Sequence, residues 1–214
     1  MPADQAAGLR RRRAQQPLRC IHCLFDSAES TVRLAQALHR LGHVSLLVDM
    51  RGRLFAGSPT RSLFDWKQQL ERGQLHTQPM AYGDGWYAPG LRGDQLDLRG
   101  AAHGYDHVVF DAGPGGDSLL LMPDAAHTVI IEVHHTDESL MRAYTLLKTL
   151  LHAGYGSSIG LRGSPAACDH VRAACRHFLG QPFAQGIFSA AHEDDAFAAL
   201  AIRMADEETS LATR

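Results

Sequence analysis

The chain is 214 residues long, 45% hydrophobic and 21% charged, with a formal net charge of −2, the balance of one folded domain with its own core. Residues 1–19 hold five Arg against one Asp, so a basic leader precedes an acidic body. That asymmetry argues against the body as a nucleic-acid platform and fits the leader to an acidic protein surface, an anionic membrane or nucleic acid. No stretch is long and apolar enough for a bilayer and no secretory signal follows the basic residues, so a cytoplasmic protein is expected.

The leader, residues 1–17, starts a helix signal at Asp4, weakens it at Gly8 and ends at Pro17. It is near the length at which an isolated helix is marginal, and it is expected to be disordered until bound. Residues 18–214 form the α/β domain. "LRCIHCLF" (18–25) reads as a strand, and "SAESTVRLAQALHRLG" (27–42) as a helix with Val32, Leu34, Ala35, Leu38 and Leu41 at helical spacing. "HVSLLVDM" (43–50) is a second strand carrying Asp49 near its end. A polar region at 51–60 leads to an amphipathic helix, "TRSLFDWKQQLERG" (60–73), and "DGWYAPG" (84–90) is turn-rich with room for a short strand. "YDHVVFDAGPGG" (105–116) is a buried strand with a Gly-rich turn, and "HTVIIEV" (127–133) another buried strand. "DESLMRAYTLLKTLLHAG" (137–154) is a helix, 156–163 a weak strand, 166–179 a helix, and "AQGIFS" (184–189) a last short strand. The end, 193–214, is helical and acidic. Buried strands alternating with helices predict a mostly parallel sheet flanked by helices on both faces.

Cys20 and Cys23 form a C-x-x-C, but residues three apart on a strand point to opposite faces and cannot chelate together. Cys168 and Cys175 share a helix face; all four are expected to be buried apolar thiols. His134 and His135 follow a buried strand, but no third metal ligand is placed by sequence, so a loop or cap role is favoured and no metal is expected.

In such a sheet, ligands sit at the carboxyl ends of the strands. Here those ends are 24–31, 49–53 and 111–116. Their order, together with "HRLGHVSLLVDM" (39–50) and "YDHVVFDAGPGG" (105–116), resembles the P-loop NTPases of the MinD/ParA family. Within it, "TRSLFDWKQQLERGQL" (60–75) and "SLMRAYTLLKTL" (139–150) are similar to the FlhG (FleN) branch, the MinD-like ATPases that set flagellar number and position; the resemblance spans about residues 18–190. It implies a P-loop NTPase-like fold.

The chain departs from that family at the nucleotide site. The family loop is K-G-G-x-G-K-[ST]-T, and this chain reads "LFDSAEST" (24–31). Asp26 and Ala28 stand in place of glycines, Glu29 falls where the lysine should reach the phosphates, and Ser30 follows it. Residues 20–32 contain neither Gly nor Lys, so a small error in register restores nothing. Exchanging a cation for an anion beside a polyphosphate reverses an interaction of about 1 kcal/mol in water and about 4 kcal/mol near a protein surface. The family's D-x-D of switch I is here Asp49 with Arg51 in the second position. Asp111 remains at the Walker B position, but a strand-end acid capping the next turn is the favoured reading for both Asp49 and Asp111. A pseudo-ATPase without cofactor is expected, a monomer or a dimer that ignores nucleotide.

"DQAAGLR" (4–10) matches the DQAxxLR motif that opens FlhG proteins. There the helix activates FlhF, a signal-recognition-type GTPase, by inserting near its composite GTP site. The resemblance implies that Gln5 helps orient the attacking water, while Asp4, Ala6, Leu9 and Arg10 anchor the helix. Arg10 to Arg13 add at most peripheral membrane contact, about 1 kcal/mol per residue, and the acidic end offers no anchor. The expected partner is an FlhF-type GTPase, with flagellar C-ring or regulator proteins as further candidates and the cell pole as the place such a partner implies. An active or nucleotide-binding ATPase and a scaffold for a transcription regulator or polar machinery remain open as alternatives.

Overall fold

A computed structural model describes residues 18–55, 78–87, 102, 104–115, 119, 125–154, 158–190 and 196–204. The leader with its motif and the amphipathic helix expected at 60–73 lie outside them. In chain order the elements are β1 (Arg19–Leu24), α1 (Ala28–Arg40), β2 (Ser45–Asp49), β3 (Gln78–Met80), β4 (Gly83–Tyr87), β5 (His107–Asp111), β6 (Ala126–Val133), α2 (Asp137–His152), β7 (Ser158–Gly163), α3 (Pro165–Phe178), α4 (Gln181–Gly186) and β8 (Ile187–Ala190). Residues 196–204 are also helical.

The strands form one sheet in the order β3-β4-β2-β5-β1-β6-β7-β8. Every neighbouring pair is parallel except the short edge pair β3–β4, which is antiparallel. This is the α/β sheet flanked by helices that the alternation of elements predicts. Period-two alternation assigns the faces. Cys20, Leu46, Val48, Val108 and Phe110 pack with Trp86 on one face. Ile21, Cys23, Leu47 and Val109 meet Leu34 and Leu38 of α1 on the other. Phe197 and Leu200 of the last helical segment close that layer. A further cluster joins β6, β7 and β8 to α2 and α3 through Val129, Ile131, Leu147, Leu161 and Val171. Cys20 and Cys23 do lie on opposite faces, Cys168 and Cys175 share one, and all four thiols are buried and outside any disulfide.

The helices start where side chains can cap them. Ser27 accepts from the Glu29 N–H at α1, Thr136 from Ser139 at α2, and Ser164 from Ala167 at α3, where Pro165 opens the first turn. Gly42, with φ 90°, ends the passage after α1. At Gly163, where β7 closes on β6, a Cβ would stand 2.0 Å from the Val133 carbonyl oxygen, so only glycine permits this approach. Two elements escaped the sequence. α4 itself carries Pro182 and Gly186 and takes in residues 184–186, which were expected to open the last strand, so that strand runs only over Ile187–Ala190; the three residues of β3 are too few to show a period. No helix among the described residues is long and apolar enough to cross a membrane.

Candidate functional site

The order β2-β5-β1 sets three strand ends side by side. Asp49 pairs in register with Asp111, and Asp111 with Cys23, so two fully buried carboxylates stand on neighbouring strands pointing to one face. Buried acids in this arrangement repel and require compensation. Each obtains it from the chain itself, by different means.

Asp49 is satisfied by backbone. Its Oδ1 accepts from the N–H groups of Arg51, Gly52 and Arg53 at 3.1, 2.7 and 3.2 Å. Its Oδ2 accepts from Leu54 and Phe55, both at 3.0 Å. Gly52, with φ 72°, allows the chain to curl around one carboxylate. The curl turns Arg53 back toward the sheet.

Asp111 is satisfied by that arginine. Arg53 Nε donates to Asp111 Oδ2 and Nη2 to Oδ1, both at 2.7 Å, a two-pronged pair. The same guanidinium donates to the carbonyls of Phe25 at 2.7 Å and Asp26 at 2.8 Å, so it ties the loop after β1 to the end of β5. Thr31 of α1 adds a hydroxyl bond to Asp111 Oδ1 at 2.8 Å. The hydrogen bond to Asp111 is the main cause holding Arg53 above its ordinary pKa, against partial burial. Desolvation, reinforced by Asp111, pushes the neighbouring Cys23 thiol upward.

The other residues of the "LFDSAEST" loop are placed differently from what the alignment with a phosphate loop suggests. Glu29 does not face Asp111; it is exposed on α1 and pairs with Arg33 one turn on, at 2.8 Å. Ala28 is the first helical residue, and the buried Ser30 donates its N–H to the Ser27 carbonyl in the first turn. Arg51 is exposed, its side chain passing over Gly113. The cation at the buried centre is therefore Arg53, two residues beyond the position that the D-x-D spacing singles out.

Asp26 turns the other way, into a second polar cluster at the ends of β1, β6 and β7. Its Oδ2 accepts from His134 Nε2 at 2.9 Å and its Oδ1 from Arg142 of α2 at 3.3 Å. Its backbone N–H donates to Glu132 Oε2 at 2.8 Å. The other oxygen of Glu132 is ion-paired with Arg162, whose guanidinium lies over the rings of Phe25 and Phe197. A cavity of about 550 Å³ adjoins the cluster and is lined by Glu132, His134, His135, Arg162 and Ser164 among others. Sequence reading noticed His134, and Asp26 only as part of the altered phosphate loop; it missed Glu132 and the grouping of the three.

No protein-family model and no curated protein matches the sequence. Solved structures do. A ParA family ATPase from Chlorobium tepidum TLS is similar over 87% of this chain and 89% of its own, with a TM-score of 0.55 at 15% identity. The chain has the fold of the ParA and MinD ATPases. The MinD cell division protein of Aquifex aeolicus aligns with a TM-score of 0.53 at 13% identity, covering 84% of this chain and 86% of its own. The MinC:MinD cell division protein complex of Aquifex aeolicus aligns with a TM-score of 0.52 at 14% identity, covering 85% of each chain. In the ParA/MinD fold of this chain, the strand ends at Phe25, Asp49 and Asp111 are thus linked by Arg53 and the Asp49 curl.

Proposed function

We propose that this protein is a non-catalytic regulator of the FlhG type, which has kept the ParA/MinD fold without its ATPase chemistry. The observation that carries the proposal is the Arg53 guanidinium, bonded at once to Asp111 and to the Phe25 and Asp26 carbonyls. A P-loop site needs bare N–H groups and a lysine around a polyphosphate, with a metal ion near the strand-end acid. Here an internal cation takes the acid's lone pairs, and the loop after β1 offers carbonyls to it in a stretch without Gly or Lys.

The working surface is then the leader. Its "DQAAGLR" motif supports docking on an FlhF-type GTPase, with Gln5 orienting the attacking water and Asp4, Ala6, Leu9 and Arg10 holding the helix in place. In this reading the domain is a monomeric carrier in the cytoplasm, brought to the cell pole by its partner, with no nucleic acid bound. The test adds the full chain to an FlhF-type GTPase and follows GTP turnover. Turnover rises with the intact chain and falls back to the basal rate with Gln5→Ala or with residues 1–17 removed. Equal turnover with and without the chain overturns the proposal.

A further inference from the structure

The second polar cluster has a donor set that the proposed regulatory role does not use. We infer that Asp26, Glu132 and His134 form a binding site for a borderline divalent transition-metal ion, Zn²⁺ being the best match. One imidazole nitrogen and two carboxylate oxygens, one from each residue, lie within 4.8 Å of one another. A mixed N/O set of this kind is what Zn²⁺ takes at sites with three protein ligands and an open position.

The geometry is close to that of a chelate. Two ligand atoms at about 2.1 Å from a metal, at roughly 90–110° to each other, stand about 3.0–3.4 Å apart. Asp26 Oδ2 and His134 Nε2 are 2.9 Å apart, so a few tenths of an ångström of side-chain movement accommodates the ion. Both side chains are about half exposed and able to make that movement. Glu132 is the fixed member. It is nearly buried, held by Arg162 through one oxygen, while its other oxygen accepts the Asp26 N–H and retains a lone pair. In the ion's absence the His134 N–H fills the gap by donating to Asp26; binding moves that proton to the other ring nitrogen and leaves Nε2 as the ligand. The fourth position falls to water or to an oxygen donor in the adjoining cavity.

Charge sets the selectivity. Arg142 and Arg162 already balance the two acids, so the site has no surplus negative charge to draw a hard cation. Mg²⁺ and Ca²⁺, which require many oxygen ligands, are disfavoured, whereas an ion that forms a strong bond to imidazole is retained. Arg142 competes directly with the ion for Asp26.

The test is titration of the full chain with ZnCl₂ by calorimetry, and with CoCl₂ by its visible absorption. The intact chain takes up one equivalent, and excess MgCl₂ does not displace it. His134→Ala and Asp26→Asn each weaken binding by about 100-fold or abolish it; both replace half-exposed side chains, and circular dichroism checks their fold. Arg142→Ala tightens binding by about tenfold, because a positive charge leaves the ion's neighbourhood. Undiminished uptake by His134→Ala places the metal on other histidines and overturns the inference. So does the absence of Zn²⁺ uptake by the intact chain, or weaker binding by Arg142→Ala.

Discussion

Replacing Arg53 by Met removes the cation at the centre of the domain and leaves Asp111 fully buried with Thr31 as its remaining side-chain partner among the described residues. Breaking one side of a buried ion pair costs about 3–5 kcal/mol. Arg53 keeps a quarter of its side chain exposed, which lets water reach Asp111 after the change and favours the low end, about 3 kcal/mol. Asp111→Asn retains an acceptor for Thr31 and leaves Arg53 partly solvated, so it costs about 2 kcal/mol. The double variant loses both charges together and costs little more than Arg53→Met alone, which puts the coupling near 2 kcal/mol. In urea unfolding the midpoints report these differences, and in a domain of this size Arg53→Met lowers Tm by roughly 6–12 °C. Arg53→Lys recovers less than half of the loss, since an ammonium cannot span two carboxylate oxygens and two carbonyls. Additivity of the two single changes within about 0.5 kcal/mol refutes the internal-cation account.

Four further outcomes follow from the same geometry. Asp49→Ala strips the acceptor from five backbone N–H groups and lowers stability by about 3 kcal/mol, measured by urea unfolding; a loss below about 0.5 kcal/mol counts against the curl as a structural device. His22 and His107 are buried and pushed down to about 3, chiefly by desolvation, with His127 reinforcing the first, and His43 and Arg19 the second against Asp106. The unfolded chain therefore holds more protons between pH 6.5 and about 3, and stability falls with pH through that window by up to about 1.4 kcal/mol per unit for each ring. His107→Leu, which removes two unpaired buried nitrogens, flattens that slope without loss of stability at pH 7. The four thiols, buried and with Cys168 and Cys175 raised to about 11, react with a disulfide reagent only after denaturation; native-state labelling of any one of them contradicts the packing. Millimolar Mg-ATP leaves Tm unchanged, whereas a ligand at 100 times its Kd raises stability by about 2.7 kcal/mol; a shift of that size, lost in Asp111→Asn, disproves the pseudo-ATPase reading.

The architecture was legible because it is written in periods. The apolar runs of β1, β2, β5 and β6 and the helical spacing of Leu34, Ala35 and Leu38 state their own burial. Strand-end acids were legible for the same reason. A carboxylate closing a buried run has to be capped or paired, and Asp49 and Asp111 are. Arg53 was not legible. Both Arg51 and Arg53 follow Asp49 in a polar stretch, and spacing favours the nearer one. Only the curl of N–H groups around Asp49, with Gly52 in the left-handed region, turns the farther arginine inward. An Asp followed three residues later by Gly is the faint local sign of that turn. His134 was visible as a lone ligand type, but its companions lie just after β1 and on β6, 106 residues apart in sequence and adjacent only once those strands pair.

The two clusters at the strand ends share a principle: the chain itself compensates the acids gathered there. A parallel sheet gathers its strand ends at one edge, and every acid buried there needs a counter-charge or hydrogen-bond donors from somewhere. An ATPase of this fold can take part of that compensation from its ligand and metal. Here each acid has been given a partner from the chain: backbone amides for Asp49, Arg53 for Asp111, Arg162 for Glu132, and His134 with Arg142 for Asp26. The first three are buried and mutually braced, because the curl that serves Asp49 also delivers Arg53, and Arg53 in turn fixes the loop that leads into α1. Asp26 differs. It and His134 are about half exposed, its bond to Arg142 is long at 3.3 Å, and its contact with His134 requires no deep burial. Among the described residues the strand-end edge is thus tightly compensated at its centre and loosely at one side, and that looser side is where the proposed ion site lies.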